Sequence, residues 1–288
     1  MIAAPPTVSA AELRKKLERI SGERNPFSSP RHLAAVENYI EREFETCGLS
    51  VESDTFAYLG RSYRNIIGRL GPARSGPLIL LGAHFDSVEG SPGADDNASG
   101  AAVLLEAARI LSTSRFRSQV LFCAFNLEEL NMIGSDHFAK KLKAARADIR
   151  AMVSLEMVGF TASKPGGQQY PAGLGWFYPE RGDFISVVGN WRSSSLLRHF
   201  SRSMRQVRGL PVETLTVLGN GFLVPQVRLS DHSPFWDLGY PALLVTDTAF
   251  FRNPHYHGPT DTAETLDLDF MARVCQGVVH AVSNLAGR

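Results

Sequence analysis

The sequence has few cysteines, no excess charge of either sign and no long hydrophobic run. Its three cysteines, Cys47, Cys123 and Cys275, lie far apart in apolar segments, so we expect buried free thiols and no disulfide framework. Lysine and arginine together number 30 against 29 acidic residues, which gives no electrostatic field that would attract nucleic acid. No apolar stretch reaches the roughly 18 residues that a membrane span needs. These absences argue against a partner nucleic acid and against a membrane protein.

The N-terminal segment also lacks the pattern of an export signal. The residues MIAAPPTVSAAEL contain no basic start followed by an apolar core of roughly 7 to 15 residues. We therefore expect a cytoplasmic protein if the sequence is complete, and a secreted or periplasmic one if a leader has been removed.

What the sequence does contain is a regular alternation of strand-like and helix-like segments. With 288 residues and 44% hydrophobic positions, the chain can bury one large core, and we expect a single domain over residues 1–288. Helical periodicity predicts two opening helices over about 9–49 and further helices at 101–112, 133–145, 193–207 and 268–286. Apolar runs predict strands at 51–59, 63–70, 77–85, 119–125, 151–159, 184–190, 210–217 and 240–248.

This alternation is typical of an α/β fold. It predicts a three-layer sandwich in which a mixed, mostly parallel central sheet carries helices on both faces. The segment 161–183 is rich in glycine, proline and aromatic residues and shows no periodicity, so we expect a long irregular loop, which is usually functional.

Polar residues collect in five short segments, most of them at the ends of predicted strands. The segments are HFD at 84–86, GADDNASG at 93–100, NLEEL at 126–130, SLEMVG at 154–159 and NPHYHGPTDT at 253–262. In open α/β sheets the carboxyl ends of the strands form the usual ligand site. Glu156 interrupts an apolar run, so its carboxylate must be paired, hold a metal or face a cavity. A metal site accounts for all five segments together.

The residue types suit zinc. Zinc binds imidazole and carboxylate ligands, and a pair of zinc ions about 4 Å apart requires a carboxylate that gives one oxygen to each ion. Two histidines, two terminal carboxylates, one bridging carboxylate and one further carboxylate as a base would complete such a site.

These motifs, in this order over roughly residues 30–285, resemble the co-catalytic zinc peptidases of metallopeptidase family 28, which include bacterial aminopeptidases, glutamate carboxypeptidase and glutaminyl cyclase. The resemblance implies the zinc aminopeptidase (phosphorylase/hydrolase-like) fold, a catalytic domain over residues 1–288 with an active-site loop at 161–183, and two Zn²⁺ ions per chain. It implies that one zinc is held by His84, Asp96 and Glu156 and the other by Asp96, Glu129 and His257. Glu128 would be the general base.

The same resemblance assigns supporting roles. Tyr256 would donate to the developing oxyanion, and the peptide after Asp96 would be cis. Asp86, two residues beyond His84, would either orient the imidazole of His84 or cap a turn. The spacing to the TDT element selects His257 over His255 as the ligand.

Four other acidic or histidine positions keep open or structural roles. Asp95 is a neighbour of uncertain role, and Asp261 either caps a turn or supports His257. Asp231 and His232 are expected to shape the cleft wall without binding zinc.

The resemblance implies a zinc-dependent exopeptidase acting on a peptide or small aminoacyl substrate, most simply an aminopeptidase. A glutaminyl-cyclase-like acyltransferase with one zinc is the alternative, although those relatives usually have tryptophan in place of Tyr256. A zinc carboxypeptidase is less favoured, because that branch has large additional domains, and a non-catalytic binding domain is less favoured because the ligand set is intact. We also expect the aromatic residues Trp176, Phe177 and Tyr178 to line a pocket for a hydrophobic first residue.

Overall fold

The computed structural model describes residues 7–71, 76–171 and 173–287. Within these ranges the helices are α1 (Ala10–Ile20), α2 (Pro30–Thr46), α3 (Gly100–Leu111), α4 (Ile133–Ala144), α5 (Ser194–Met204), α6 (Ser233–Asp237) and α7 (Leu268–Ala286). The strands are β1 (Ser50–Tyr58), β2 (Arg61–Leu70), β3 (Leu78–His84), β4 (Val120–Phe125), β5 (Ile149–Glu156), β6 (Ile185–Asn190), β7 (Val212–Val217) and β8 (Ala242–Thr246). Every predicted element is present, and among the α-helices and strands of these ranges only the short α6 was not predicted.

Local sequence explains where the main helices begin and what they bury. Pro30 occupies the first turn of α2, where its missing N–H costs no hydrogen bond. Asp267 caps the start of α7, because its carboxylate accepts a hydrogen bond from the Phe270 amide at 2.8 Å. In α1, Leu13, Leu17 and Ile20 recur at helical spacing and are fully buried, so one face of that helix packs on the core.

The strands form one eight-stranded sheet in the order β1-β2-β4-β3-β5-β8-β6-β7. Its centre, β4-β3-β5-β8, is parallel. Antiparallel pairing joins β1 to β2, β2 to β4 and β6 to β8, while β6 and β7 are parallel to each other. The expectation of a mixed sheet with a parallel centre is confirmed.

Helices cover both faces of this sheet, which confirms the three-layer architecture. Helices α1, α2, α3, α5 and α7 pack in one apolar core, and α4 and α6 pack in the other. Alternate residues of β3 feed the two cores: Ile79 and Leu81 enter the first, and Leu80 enters the second. This double coverage explains why β3 reads as a continuous apolar run.

The predictions of an irregular loop and of buried cysteines agree with the structure except at Cys47. The described residues of segment 161–183 are irregular apart from one isolated bridge between Ala162 and Gly182. Cys123 and Cys275 are buried free thiols, while Cys47 is half-buried. No helix in the described ranges is long and apolar enough to cross a bilayer.

Candidate metal centre

The parallel centre of the sheet brings several predicted site residues to one edge. His84 ends β3 and Glu156 ends β5, and these strands are hydrogen-bonded neighbours. Glu128 and Glu129 follow shortly after the end of β4, on the other side of β3. Because the carboxyl ends of parallel strands lie at one edge, the order β4-β3-β5 places these side chains together.

A first group of donor atoms surrounds His84. Its Nε2 lies 3.3 Å from Asp96 Oδ1 and 3.3 Å from Glu156 Oε1. The imidazole is completely buried, as is most of each carboxylate. These three side chains form a group whose ligand atoms could hold one metal ion.

A second group shares Asp96. Its other oxygen, Oδ2, lies 3.1 Å from Nε2 of His257, and the same nitrogen lies 3.2 Å from Glu129 Oε2. Asp96, Glu129 and His257 thus form a second potential metal group. The two groups are those expected from the sequence, with Asp96 between them. Glu128 stands beside them, with Oε2 3.8 Å from His84 Nε2.

The site places four carboxylates around two imidazoles, and these groups shift one another's pKa. Burial alone would lower the pKa of His84, but the Glu156 and Glu128 carboxylates outweigh it and hold that pKa well above its ordinary value. Burial raises the pKa of Glu128 well above its usual range, and that of Glu129 to about 7. Burial would raise the pKa of Asp96 as well, but its contacts with His257 and His84 lower it.

Asp86 contacts both sides of the centre. One of its oxygens lies 3.4 Å from His84 Nδ1. The same carboxylate accepts hydrogen bonds from the backbone amides of Glu128, at 3.1 Å, and Glu129, at 3.2 Å. Its position is therefore compatible with the predicted orienting role, and it also fixes the backbone that carries both glutamates.

The loop that carries Asp96 is held by two side chains. Asp261 accepts hydrogen bonds from the backbone amides of Asp95, at 2.9 Å, and Asp96, at 3.1 Å. Asn97 joins the loop to the end of β5, because its Nδ2 donates to Leu155 O and its Oδ1 accepts from the Met157 amide. The peptide between Asp96 and Asn97 is cis, as expected. Asp261 therefore supports the loop of Asp96.

The structure also places the remaining histidines and acids of these motifs. His255 Nδ1 lies 2.8 Å from Thr260 Oγ1 and belongs to neither donor group, so the preference for His257 agrees with the geometry. Asp231 and His232 are fully buried and also lie outside both groups. Asp95 accepts from the Gly159 amide and from Asn253 Nδ2, which indicates a structural role.

Sequence reasoning missed Ser230. Its hydroxyl donates to Glu156 Oε2 at 2.8 Å and lies 3.0 Å from Ser154 Oγ. Ser230 precedes Asp231 and His232 in the SDHSPF segment, which was the only available signal, but nothing in that segment identified Glu156 as its partner.

An apolar pocket opens beside the centre. Glu156 and Tyr256 line one end, and the walls include Val188, Leu215 and Leu244. The ring of Tyr256 stacks on His257, with centroids 3.8 Å apart. Burial and the nearby Asp96 raise the pKa of the Tyr256 phenol above its ordinary value.

The prediction for the aromatic loop residues is right only for Tyr178. Tyr178 lines the pocket, and its hydroxyl donates to Thr214 O at 2.9 Å. Trp176 is 92% exposed and Phe177 80% exposed, and neither is among the lining residues. The loop turns these two rings to solvent because the inward positions are taken by Leu174 and Tyr178.

The donor set fits a bound cation. Imidazole and carboxylate are the ligands that zinc accepts, and the groups place them around one shared aspartate. Glu129 Oε1 is buried and accepts no hydrogen bond from the described residues. A buried carboxylate oxygen without a partner is costly unless a cation occupies the site.

Comparison with known proteins identifies the family. The profile of peptidase family M28 matches residues 65–282. The uncharacterized protein YfbL of Escherichia coli (strain K12) is 36% identical over 293 residues, which cover 97% of this chain and 90% of that protein. Leucine aminopeptidase 1 of Ajellomyces dermatitidis is 28% identical over 69% of this chain and 50% of that protein.

A solved structure links the fold to zinc chemistry. BSAP, a zinc aminopeptidase from Bacillus subtilis, superposes with a TM-score of 0.60 and 27% identity, over 80% of this chain and 52% of that one. The chain thus spans about half the length of the Bacillus enzyme and of leucine aminopeptidase 1. By these matches the chain belongs to peptidase family M28 and is a hydrolase of the class that acts on peptide bonds.

Proposed function

We propose that this protein is a zinc aminopeptidase that removes the N-terminal residue of a peptide or small aminoacyl substrate. The observation that carries the proposal is the pair of donor groups that share Asp96, with the carboxylate of Glu128 beside them. The similarity to a zinc aminopeptidase supports it.

The five donor side chains would hold two zinc ions. His84, Asp96 and Glu156 would bind one ion, and Asp96, Glu129 and His257 the other. When bound, zinc supplies Lewis-acid chemistry, which polarises the scissile carbonyl and makes a water molecule more acidic.

Glu128 is the group that would move the proton. Its carboxylate lies at the margin of the donor groups and its side chain is 12% exposed, so it can reach a water molecule in the cleft. It would accept a proton from the attacking water at Oε2 and deliver it to the departing amine. The bond between the Glu128 amide and Asp86 holds the backbone in place for this transfer.

Two further residues would position the reaction. The Tyr256 hydroxyl, at the mouth of the pocket, would donate a hydrogen bond to the oxyanion that develops on the carbonyl. Asp86 would hold the imidazole of His84 in one orientation and tautomer.

The lining of the pocket favours an N-terminal over a C-terminal substrate end. A C-terminal carboxylate would need a cationic side chain to bind it. Among the described residues that line the pocket there is no lysine or arginine that could bind such a carboxylate. An aminopeptidase is therefore favoured over a carboxypeptidase.

The substitution Glu128→Gln tests the assignment of the base. We expect kcat on aminoacyl anilides to fall by about 10²-fold or more, because general acid–base catalysis is lost. The zinc content should stay the same, because Glu128 belongs to neither donor group. The measurements are anilide hydrolysis and metal analysis on the same preparations.

Two outcomes of this experiment would contradict the proposal. Equal activity of the two proteins would remove Glu128 from the mechanism. Conversion of a glutaminyl peptide to pyroglutamate, without hydrolysis of any anilide, would replace the aminopeptidase by a cyclase.

A further inference from the structure

The floor of the pocket is a row of side chains in register across four strands. Glu156 pairs with Thr246, Thr246 with Ser186, and Ser186 with Glu213. Directly paired residues of neighbouring strands point to the same face of a sheet, and all four residues line the pocket. With strands about 4.8 Å apart, the row places Glu213 roughly 14 Å from Glu156 between α-carbons.

Between these two carboxylates the pocket is largely apolar. A second row, two residues along each strand, consists of Leu244, Val188 and Leu215. At the far end Tyr170 and Tyr178 stack on one another, with ring centroids 5.7 Å apart. The pocket is thus a channel that begins at the metal centre and ends at a carboxylate flanked by aromatic rings.

Glu213 has no cationic partner within the described residues. No lysine, arginine or histidine of these ranges forms an ion pair with it. Arg252 lies behind the pocket wall, where its guanidinium is bound by Gln168 Oε1 at 2.8 Å and Phe184 O at 2.9 Å. A partly buried carboxylate at the end of an apolar channel is stabilised by a cationic ligand.

We propose that Glu213 determines specificity for a lysine or arginine side chain at the N-terminal residue of the substrate. This inference rests on the proposed aminopeptidase function, which places the α-carbon of that residue within the channel, between Glu156 and Glu213. The apolar second row contacts the aliphatic stem, and the cationic end reaches Glu213 and the faces of the tyrosines. A leucine side chain is too short to reach Glu213, whereas lysine carries a four-carbon stem.

The test compares substrates that differ only in the terminal charge. Lysyl and norleucyl p-nitroanilides share the straight aliphatic stem, and arginyl and leucyl anilides extend the series. For the wild type we expect kcat/KM to be at least about tenfold higher for lysyl than for norleucyl anilide, because a charge-assisted hydrogen bond is gained. In Glu213→Gln this ratio should fall by at least about tenfold.

A matched control removes one negative charge elsewhere. Glu45 is exposed on α2, which packs on the other face of the sheet. Glu45→Gln should keep the wild-type ratio, which separates a contact in the pocket from a change in net charge.

A binding measurement makes the test independent of turnover. The dissociation constants of lysinamide and norleucinamide are measured by calorimetry on the zinc-loaded wild type and on both variants. We expect the wild type and Glu45→Gln to bind lysinamide more tightly than norleucinamide, and Glu213→Gln to lose this preference. If leucyl and norleucyl anilides are hydrolysed but lysine gains nothing in either assay, the role of Glu213 is overturned and the aminopeptidase stands. If no anilide is hydrolysed, the proposed function fails, and lysinamide binding still decides the role of Glu213.

Discussion

At the scale of single residues, the chemistry of this site depends on side chains that the metal-ligand pattern does not reveal. Ser230 is an example. Its hydroxyl donates to the second oxygen of Glu156, which lies 74 residues earlier in the chain. A ligand held by such a hydrogen bond keeps one orientation, and the loss of the bond typically weakens metal affinity by about 10-fold or more.

The substitution Ser230→Ala tests this support. We expect zinc affinity to fall by about tenfold, because Glu156 loses a donor at 2.8 Å and becomes free to turn. The measurement is a competition titration against a chromophoric chelator. Ser112→Ala is the matched control, since that hydroxyl donates only to Arg109 O, at the end of α3. A loss of the same size in both variants would show a general effect of the mutation and contradict a specific role for Ser230.

At the scale of elements, the loop between β3 and α3 is fixed by the connection between α1 and α2. The guanidinium of Arg24 is fully buried and donates to Phe85 O at 2.7 Å, Pro92 O at 2.7 Å and Gly93 O at 2.8 Å. These carbonyls belong to the loop that carries Asp86 and Asp96. An N-terminal segment distant in sequence therefore fixes the geometry of the loop that carries Asp96.

Close packing in this loop makes Gly93 difficult to replace. Gly93 has φ +58°, and an added Cβ would lie 2.3 Å from Asp96 O and 2.7 Å from Arg24 Nη2. We expect Gly93→Ala to lower the free energy of unfolding by about 3 kcal/mol, from the left-handed backbone and the overlap together. Gly90→Ala is the matched control, because Gly90 also has positive φ, +81°, but its added Cβ would meet nothing within 4 Å. The control should cost about 1 kcal/mol. Denaturant unfolding measures both, and equal costs would contradict the packing argument.

At the scale of the whole molecule, the centre joins segments from most of the chain. Donor atoms come from residues 84, 96, 129, 156 and 257. Bound cations would therefore link the ends of β3 and β5, the loops after β3 and β4, and the segment before α7. A ligand that binds only the folded state stabilises it. The folding stability should therefore depend on zinc.

Thermal unfolding tests this dependence. After metal removal with EDTA, zinc at a hundredfold excess over its Kd should add about 2.7 kcal/mol and raise Tm by roughly 5 °C. His257→Ala should reduce the response, whereas His255→Ala should keep it, because His255 belongs to neither donor group. A full response in His257→Ala would contradict the second donor group.

The sequence by itself determined the order and type of the elements and the residue types of the donor groups. Both depend on local patterns: apolar periodicity specifies strands and helices, and Glu156 stands out because it interrupts the apolar run at 151–159. The spacing shared with the family favours His257 over His255, and in the structure His257 lies in a donor group while His255 does not.

Only the tertiary structure decided which distant residues meet. Three contacts depend on the strand order β5-β8-β6-β7 or on loop packing. They are the hydrogen bond of Ser230 to Glu156, the contact of Asp261 with the Asp96 loop, and the row from Glu156 to Glu213. The exposure of the Trp176 and Phe177 side chains to solvent was also decided by the tertiary structure. Such contacts join residues with no local signal for one another, because strand neighbours are chosen by the packing of the whole sheet and not by the sequence of either strand.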